Sequence, residues 1–227
     1  VYSGMIEALD RSIGKIVEAL KENGLSENTL IIFTSDNGGA GYIGLHDINN
    51  PYRGWKLTHF EGGMHVPFFA KWPEKISKNT KYDKRIHHTD IFSTILGAAN
   101  IEPPKNIKID GKNLIPFLTD KKFGEPHETL YWKNATYQAI IHDDWKLMRS
   151  SLPKKQEYLF DLKNDPYEKN NLASVEIDIK NSLHRMMNEH VKSMPKPKWP
   201  QSIFMPVTID GPVTEYKEGD ELIYWPN

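Results

Sequence analysis

The sequence predicts an α/β protein in two parts: residues 1–126 as part of a helix-flanked, mixed and mostly parallel sheet that only a missing N-terminal half would complete, then a small antiparallel sheet packed with a helix over 127–227. Three observations carry this expectation. Met5, Ile6, Leu9, Ile13, Ile16, Val17 and Leu20 recur at the spacing of an amphipathic helix. A β-branched and aromatic run, 29–34, follows after one turn, is apolar on two faces and ends at a polar, Gly-rich loop. After Pro126 the chain breaks into short runs separated by turn residues, the pattern of an antiparallel meander.

Each element has its own signal. Gly24 stands where the first helix should be capped. Residues 35–65 form a long irregular loop rich in Gly, Asn, His and aromatic residues, and loops of that length inside a domain are usually functional. A second strand is expected at 66–71, stopped by Trp72-Pro73. A helix is expected at 88–99, with Ile91, Ile95, Leu96 and Ala99 on one face, and a helical turn at 114–118. The meander strands are expected at 129–132, 137–142, 146–149 and 158–161, with a helix at 172–191 burying Leu183, Met186, Met187 and Val191. The proline-rich tail from Lys192 is expected to wrap over the surface.

Composition removes several functional classes. A formal charge of −1 with no long Lys/Arg block leaves no electrostatic footprint for nucleic acid. The apolar stretches fall far short of the ~20 residues of a membrane helix, so no membrane span is expected. Cysteine is absent, which excludes disulfides and thiolate metal sites. The chain opens at Val1 directly into a helical pattern, so it is expected to be a piece of something longer.

The chemistry concentrates between residues 35 and 67. Ser35-Asp36-Asn37-Gly38 follows the first strand, where ligands bind in open α/β sheets. Asp36 and Asn37 offer hard oxygen ligands suited to Ca²⁺ or Mg²⁺, although Asp-Asn-Gly is also strong turn chemistry. Pro51-Tyr52-Arg53-Gly54-Trp55-Lys56 then brings two cations, Lys56 as a point charge and Arg53 as a bidentate fork, beside glycines that let a bound anion approach. His46 and His59 lie on the same loop as candidate substrate contacts, and Trp55 has the best claim of the tryptophans to lie near substrate. His87-His88-x-Asp90 resembles metal spacing, but a helix start with an Asp in its first turn explains it more simply.

Taken in order, these segments resemble the C-terminal portion of type I sulfatases, of the alkaline-phosphatase-like superfamily. The resemblance rests on Phe33-Thr34-Ser35-Asp36-Asn37-Gly38, the Pro-x-Arg-Gly-x-Lys step, Glu61-Gly62-Gly63 and Val66-Pro67. It continues through His88-Thr89-Asp90, Asp110-Gly111-Lys112-Asn113-Leu114, Tyr158-Leu159-Phe160-Asp161-Leu162, Asp165-Pro166-Tyr167-Glu168 and Asn171-Leu172-Ala173. The resemblance implies hydrolysis of sulfate esters by a formylglycine, with a divalent cation, usually Ca²⁺ with Mg²⁺ as an alternative, as Lewis acid and template. Asp36 and Asn37 match two ligands of that metal. Lys56 matches the lysine that contacts sulfate and the bridging oxygen, with Arg53 in support. Exported relatives make a periplasmic or secreted protein the expectation carried over from the family.

Half of such a site is missing from these residues. No Cys exists, and no Ser stands in the C/S-x-P/A-x-R context that formylglycine formation requires; Ser151-Leu152-Pro153-Lys154-Lys155 ends in Lys and falls after the metal motif. The expected partners are therefore a sulfate-ester substrate and the N-terminal half of the same protein, which would carry the nucleophile. Without that half the chain is expected to be inactive and poorly soluble. Asn37 favours sulfate over phosphate, because related phosphatases and phosphonate hydrolases tend to carry His there. A phosphate or phosphonate hydrolase and a non-catalytic binding module remain the alternatives.

Overall fold

The computed structural model describes residues 1–45, 47–199 and 201–226. The chain divides into two compact units, residues 1–34 with 68–127 and residues 35–67 with 128–227. The loop that sequence assigns to the first part thus packs in the second unit.

In the first unit, helix α1 (Tyr2–Glu22) carries the expected apolar stripe, but none of its residues is buried. Its end is closed by Asn23 and by Gly24 at φ +67°, with Leu25 N–H reaching back to Leu20 O. Strand β1 (Ile31–Thr34) pairs with β2 (Phe68–Lys71), Ile31 opposite Lys71 and Thr34 opposite Phe68. This pair is antiparallel, as is every strand pair among the described residues; the mixed, mostly parallel sheet is expected to be complete only with an N-terminal half outside these residues. An apolar run reports burial on two faces, not the direction of the neighbouring strand. The long loop between β1 and β2 lets the chain return antiparallel.

Helix α3 (Thr89–Ala98) starts at a buried Asp90. Its carboxylate accepts from the backbone N–H of His87 and of Lys112 and lies 2.7 Å from His127 Nε2. The Asp-Gly-x-x-Leu segment is stitched to the same helix, for Ser93 Oγ donates to Gly111 O and Leu114 N–H to Thr94 Oγ1. A short helix, α4 (Ile115–Leu118), follows it. The His87–Asp90 motif is therefore helix-start architecture, and His127, with only 8% of its side chain exposed, anchors it.

The second unit contains a short helix α2 (Glu61–Met64), a four-stranded meander, a long helix and a terminal ribbon. Strands β3 (Thr129–Lys133), β4 (Tyr137–His142), β5 (Trp145–Ser150) and β6 (Gln156–Asp161) pair in chain order. The two sheet faces bury different partners. Ile140, Leu147 and Leu159 pack with Leu183 and Met187 of α5 (Ile177–Ser193). Tyr137, Ala139, Met148, Tyr158 and Phe160 pack with Trp55 and Phe60 of the loop and with Val207, Ile209 and Ile223. Burial on two faces explains why these strands read as apolar runs and not as strict alternation.

Two boundaries differ from the sequence reading. Helix α5 begins five residues later than the expected 172, because Asn171 Oδ1 is held by the N–H groups of Leu159 and Ala173 and makes a turn there. The tail does not merely wrap: β7 (Phe204–Thr208) and β8 (Leu222–Pro226) form an antiparallel ribbon whose Val207 and Ile223 enter the core. Prolines at 206 and 226 obscured the strand pattern. Among the described residues no helix is long and apolar enough to cross a membrane.

Candidate active site

The loop 35–67 is a knot of backbone held by glycines. Gly38 N–H donates to Gly63 O at 2.9 Å, and a Cβ on Gly38 would lie 1.7 Å from Gly62 O. Gly62 N–H in turn donates to Arg53 O at 2.7 Å, and a Cβ there would lie 2.2 Å from Gly54 O. Only residues without a side chain allow three loop segments to approach this closely. Asn49 completes the knot. Its Oδ1 accepts from Gly39 N–H, and its Nδ2 donates to Gly39 O and Gly54 O. Lys56 N–H also donates to Gly39 O, at 3.1 Å. The Asp36-Asn37 turn and the Arg53–Lys56 step are thus tied at the backbone through residue 39.

Three side chains on this knot are left available. Asp36 is exposed, and no donor among the described residues reaches its carboxylate. Asn37 Nδ2 donates to Gly38 O at 2.8 Å, which fixes the amide and leaves Oδ1 without a donor among the described residues. Lys56 is half-buried, and no acceptor among the described residues reaches its ammonium. Two hard oxygens with unmet acceptor capacity suit Ca²⁺ or Mg²⁺, but they supply only part of the six to eight ligands calcium takes. No group of three or more His, Cys, Asp or Glu able to hold a metal occurs among the described residues.

Arg53 is engaged elsewhere. Its Nε and Nη2 donate to the two carboxylate oxygens of Asp210 at 2.8 and 2.7 Å, and Nη2 also donates to Glu221 at 2.7 Å. The guanidinium lies 4.8 Å over the Phe60 ring. Burial alone would lower its pKa, but the hydrogen bonds and charges of Asp210 and then Glu221 outweigh this and raise it. Arg53 therefore fastens the loop to the ribbon segment and is not presented as a bidentate fork. Trp55 is buried and donates from Nε1 to Thr208 O, so it fastens the same two segments. His59 stacks on the buried Tyr137 at 4.7 Å, with Nδ1 shielded and unpartnered. Burial, reinforced by the charge of Lys146, pushes its pKa down to about 3, so the ring is neutral. His46 lies outside the described residues.

Sequence reasoning missed the group beneath this loop. Lys146 on β5 is fully buried, 2.7 Å from Glu61 and 2.8 Å from Glu168, which is itself fully buried. Burial would lower the pKa of Lys146, but the two carboxylates raise it. Burial would raise Glu61, yet Lys146 and His65 draw it down to about 2. Glu168 goes the other way: burial raises it and the nearby Glu61 adds to this, against Lys146. It also accepts from Glu61 N–H at 2.6 Å. A lysine in a meander strand reads as solvated; the available signal was its parity with Met148, which puts it on the face that packs against the loop.

Comparison with known proteins gives this arrangement a family. Residues 1–101 match the family profile described as Sulfatase, and residues 54–195 match N-sulphoglucosamine sulphohydrolase, C-terminal. An uncharacterized sulfatase of Escherichia coli (strain K12) is 43% identical over 131 residues, covering 58% of this chain and 23% of that protein. Steryl-sulfatase of Homo sapiens is 35% identical over 147 residues, covering 62% and 25%. The crystal structure of Ps i-CgsB in complex with k-i-k-neocarrahexaose superimposes with a TM-score of 0.77 at 29% identity, over 87% of this chain and 44% of that one. The chain therefore spans about a quarter of the length of these curated relatives. With the second profile alone covering more than half of its residues, the chain belongs to the sulfatase family, of which it represents a C-terminal portion.

Proposed function

We propose that these residues are the cation- and sulfate-holding part of a sulfate-ester hydrolase whose formylglycine nucleophile lies in a segment outside this chain. The observation that carries the reading is the trio on the glycine knot: among the described residues no partner reaches the oxygens of Asp36 and Asn37 Oδ1 or the ammonium of Lys56. Relatives named as sulfatases and the matching family profiles support the same chemistry. Asp36 and Asn37 would hold a Ca²⁺ or Mg²⁺ ion, which when bound supplies a positive charge that orients and neutralises a sulfate group. Lys56 places an ammonium where negative charge grows on the ester oxygen as the S–O bond breaks. Arg53, clamped by Asp210 and Glu221, sets the position of the Lys56 step and does not itself bind sulfate.

The test is hydrolysis of an aryl sulfate and the matching aryl phosphate by the longest polypeptide the gene encodes, with and without a chelator. Sulfate turnover lost on chelation and restored by Ca²⁺ is expected. Preference for phosphate would move the protein to the phosphate or phosphonate hydrolases of the superfamily. The absence of all turnover, together with no formylglycine motif upstream, would leave a binding module.

A further inference from the structure

We infer that Asn37-Gly38 is a modification site: the pair is primed to lose ammonia, the glycine knot keeps it intact, and opening of the loop converts residue 37 irreversibly to aspartate or isoaspartate. The chemistry needs only water. The backbone nitrogen of Gly38, giving up its proton, attacks Cγ of Asn37. The new C–N bond closes a five-membered succinimide, the Cγ–Nδ2 bond breaks, and ammonia leaves with that proton. Water then opens the ring at Cγ, giving aspartate, or at the main-chain carbonyl carbon, giving isoaspartate, whose chain runs through the side chain. No electrons are exchanged: an amide and water become a carboxylic acid and ammonia. Asparagine is thermolabile, and a following glycine has no Cβ to hinder the attack.

The knot itself forces the vulnerable pairing. Residue 38 has to be glycine, because a Cβ there would lie 1.7 Å from Gly62 O and 2.9 Å from Gly63 Cα. Residue 37 is the amide that the hydrolase reading uses as a cation ligand. The two requirements together place an Asn-Gly pair within the site, where loss of the amide changes a ligand.

The same contacts engage the groups that ring closure has to move. Gly38 N–H, the attacking nitrogen, donates to Gly63 O at 2.9 Å. Asn37 Nδ2, the leaving nitrogen, donates to Gly38 O at 2.8 Å. The carbonyl of Asn37, whose carbon joins the ring, accepts from Ser35 Oγ at 2.7 Å. Asn49 then ties both backbone groups of Gly39, the next residue. Closure therefore proceeds from a locally opened loop and not from the native one. The chain's other Asn-Gly pair, Asn23-Gly24, gives an internal contrast. It is exposed at the end of α1, and Asn23 Nδ2 and Gly24 N–H reach only Ala19 O and Lys21 O in the final turns of that helix, which fray.

The test is the rate at which aspartate and isoaspartate appear at positions 37 and 23 of the longest polypeptide the gene encodes. The protein is aged in mildly alkaline buffer, native or in denaturing urea, and the products are located by fragment-ion mass spectrometry after proteolysis. Folding is expected to slow residue 37 by about 100-fold and residue 23 by no more than about fivefold. Ser35→Ala, with one bond removed, should speed native conversion at 37 about fivefold, and Asn49→Ala, with three removed, by more, while the rates in urea stay unchanged. Three results would each overturn the inference: slowing no greater at 37 than at 23, no conversion at 37 even in urea, or folded Ser35→Ala and Asn49→Ala proteins that age like the parent. Only the consequence for catalysis rests on the hydrolase reading: aryl-sulfate turnover should fall in step with conversion at 37. Conversion without such a fall would sustain the modification site and sink the ligand role of Asn37.

Discussion

The two units bury their apolar residues to different extents: the first buries Trp72, Ile76, Leu114 and Phe117, the second far more. The second closes two hydrophobic clusters, one on each face of its meander, around residues such as Tyr137, Leu147 and Phe160 that are fully buried. The first contributes to neither cluster. Met5, Ile6, Leu9 and Ile16 of α1 and Phe69, Phe92 and Ile95 are all exposed. An amphipathic stripe of this kind ordinarily faces a core. The difference teaches that the candidate site stands on the better-packed unit: its loop is packed, clamped by Arg53–Asp210 and charge-paired to Lys146 within residues 35–67 and 128–227.

The sharpest test of that asymmetry is Lys146. Its replacement by Met leaves Glu61 and Glu168 facing one another in a buried site, and a loss of about 3–5 kcal/mol in unfolding free energy is expected by denaturant titration. Adding Glu168→Gln should recover part of it, since one of the two stranded carboxylates is then gone. A loss under 1 kcal/mol would mean that the loop does not depend on this triad.

His59 gives the next effect, and its sign follows from burial. Its folded pKa of about 3 lies below the ordinary 6.5, so the unfolded chain takes up a proton first as pH falls. The stability it supports is present above pH 6.5 and declines below it, at about 1.4 kcal/mol per pH unit, until about pH 3. His59→Phe should flatten the stability curve between pH 6.5 and 4. An unchanged slope would mean that the ring is solvated in the native state.

Smaller effects should separate the units further. Breaking the Arg53–Asp210 clasp, whose carboxylate is partly exposed, should cost on the order of 1 kcal/mol in a double-mutant cycle. Ile6→Lys and Leu9→Lys on α1 should change the stability of this chain by no more than about 0.5 kcal/mol while raising its solubility. A large loss there would show that the stripe is covered.

Much of the second unit was legible in the residues. The meander strands, α5 and the 35–67 loop follow from runs, turns and period, and the resemblance to sulfatases picked out Asp36, Asn37 and Lys56. Three things were not legible, each for a physical reason. The direction of β1's neighbour is set by a long loop, which an apolar run does not encode. The clasp of Arg53 joins residues 157 and 168 positions apart, and no local pattern records a partner at that distance. The buried Lys146 looks like any solvated lysine until its strand parity is combined with the loop that covers it.

The central claim is that Lys56, and not Arg53, is the cation that meets the substrate. Its direct measurement is kcat for an aryl sulfate in the longest polypeptide the gene encodes, comparing Lys56→Ala with Arg53→Lys. The account predicts a fall of roughly 10²–10³-fold for Lys56→Ala, the scale of losing one charge-stabilising group, and a far smaller fall for Arg53→Lys. Near-normal kcat in Lys56→Ala, with activity abolished in a folded Arg53→Lys, would contradict it.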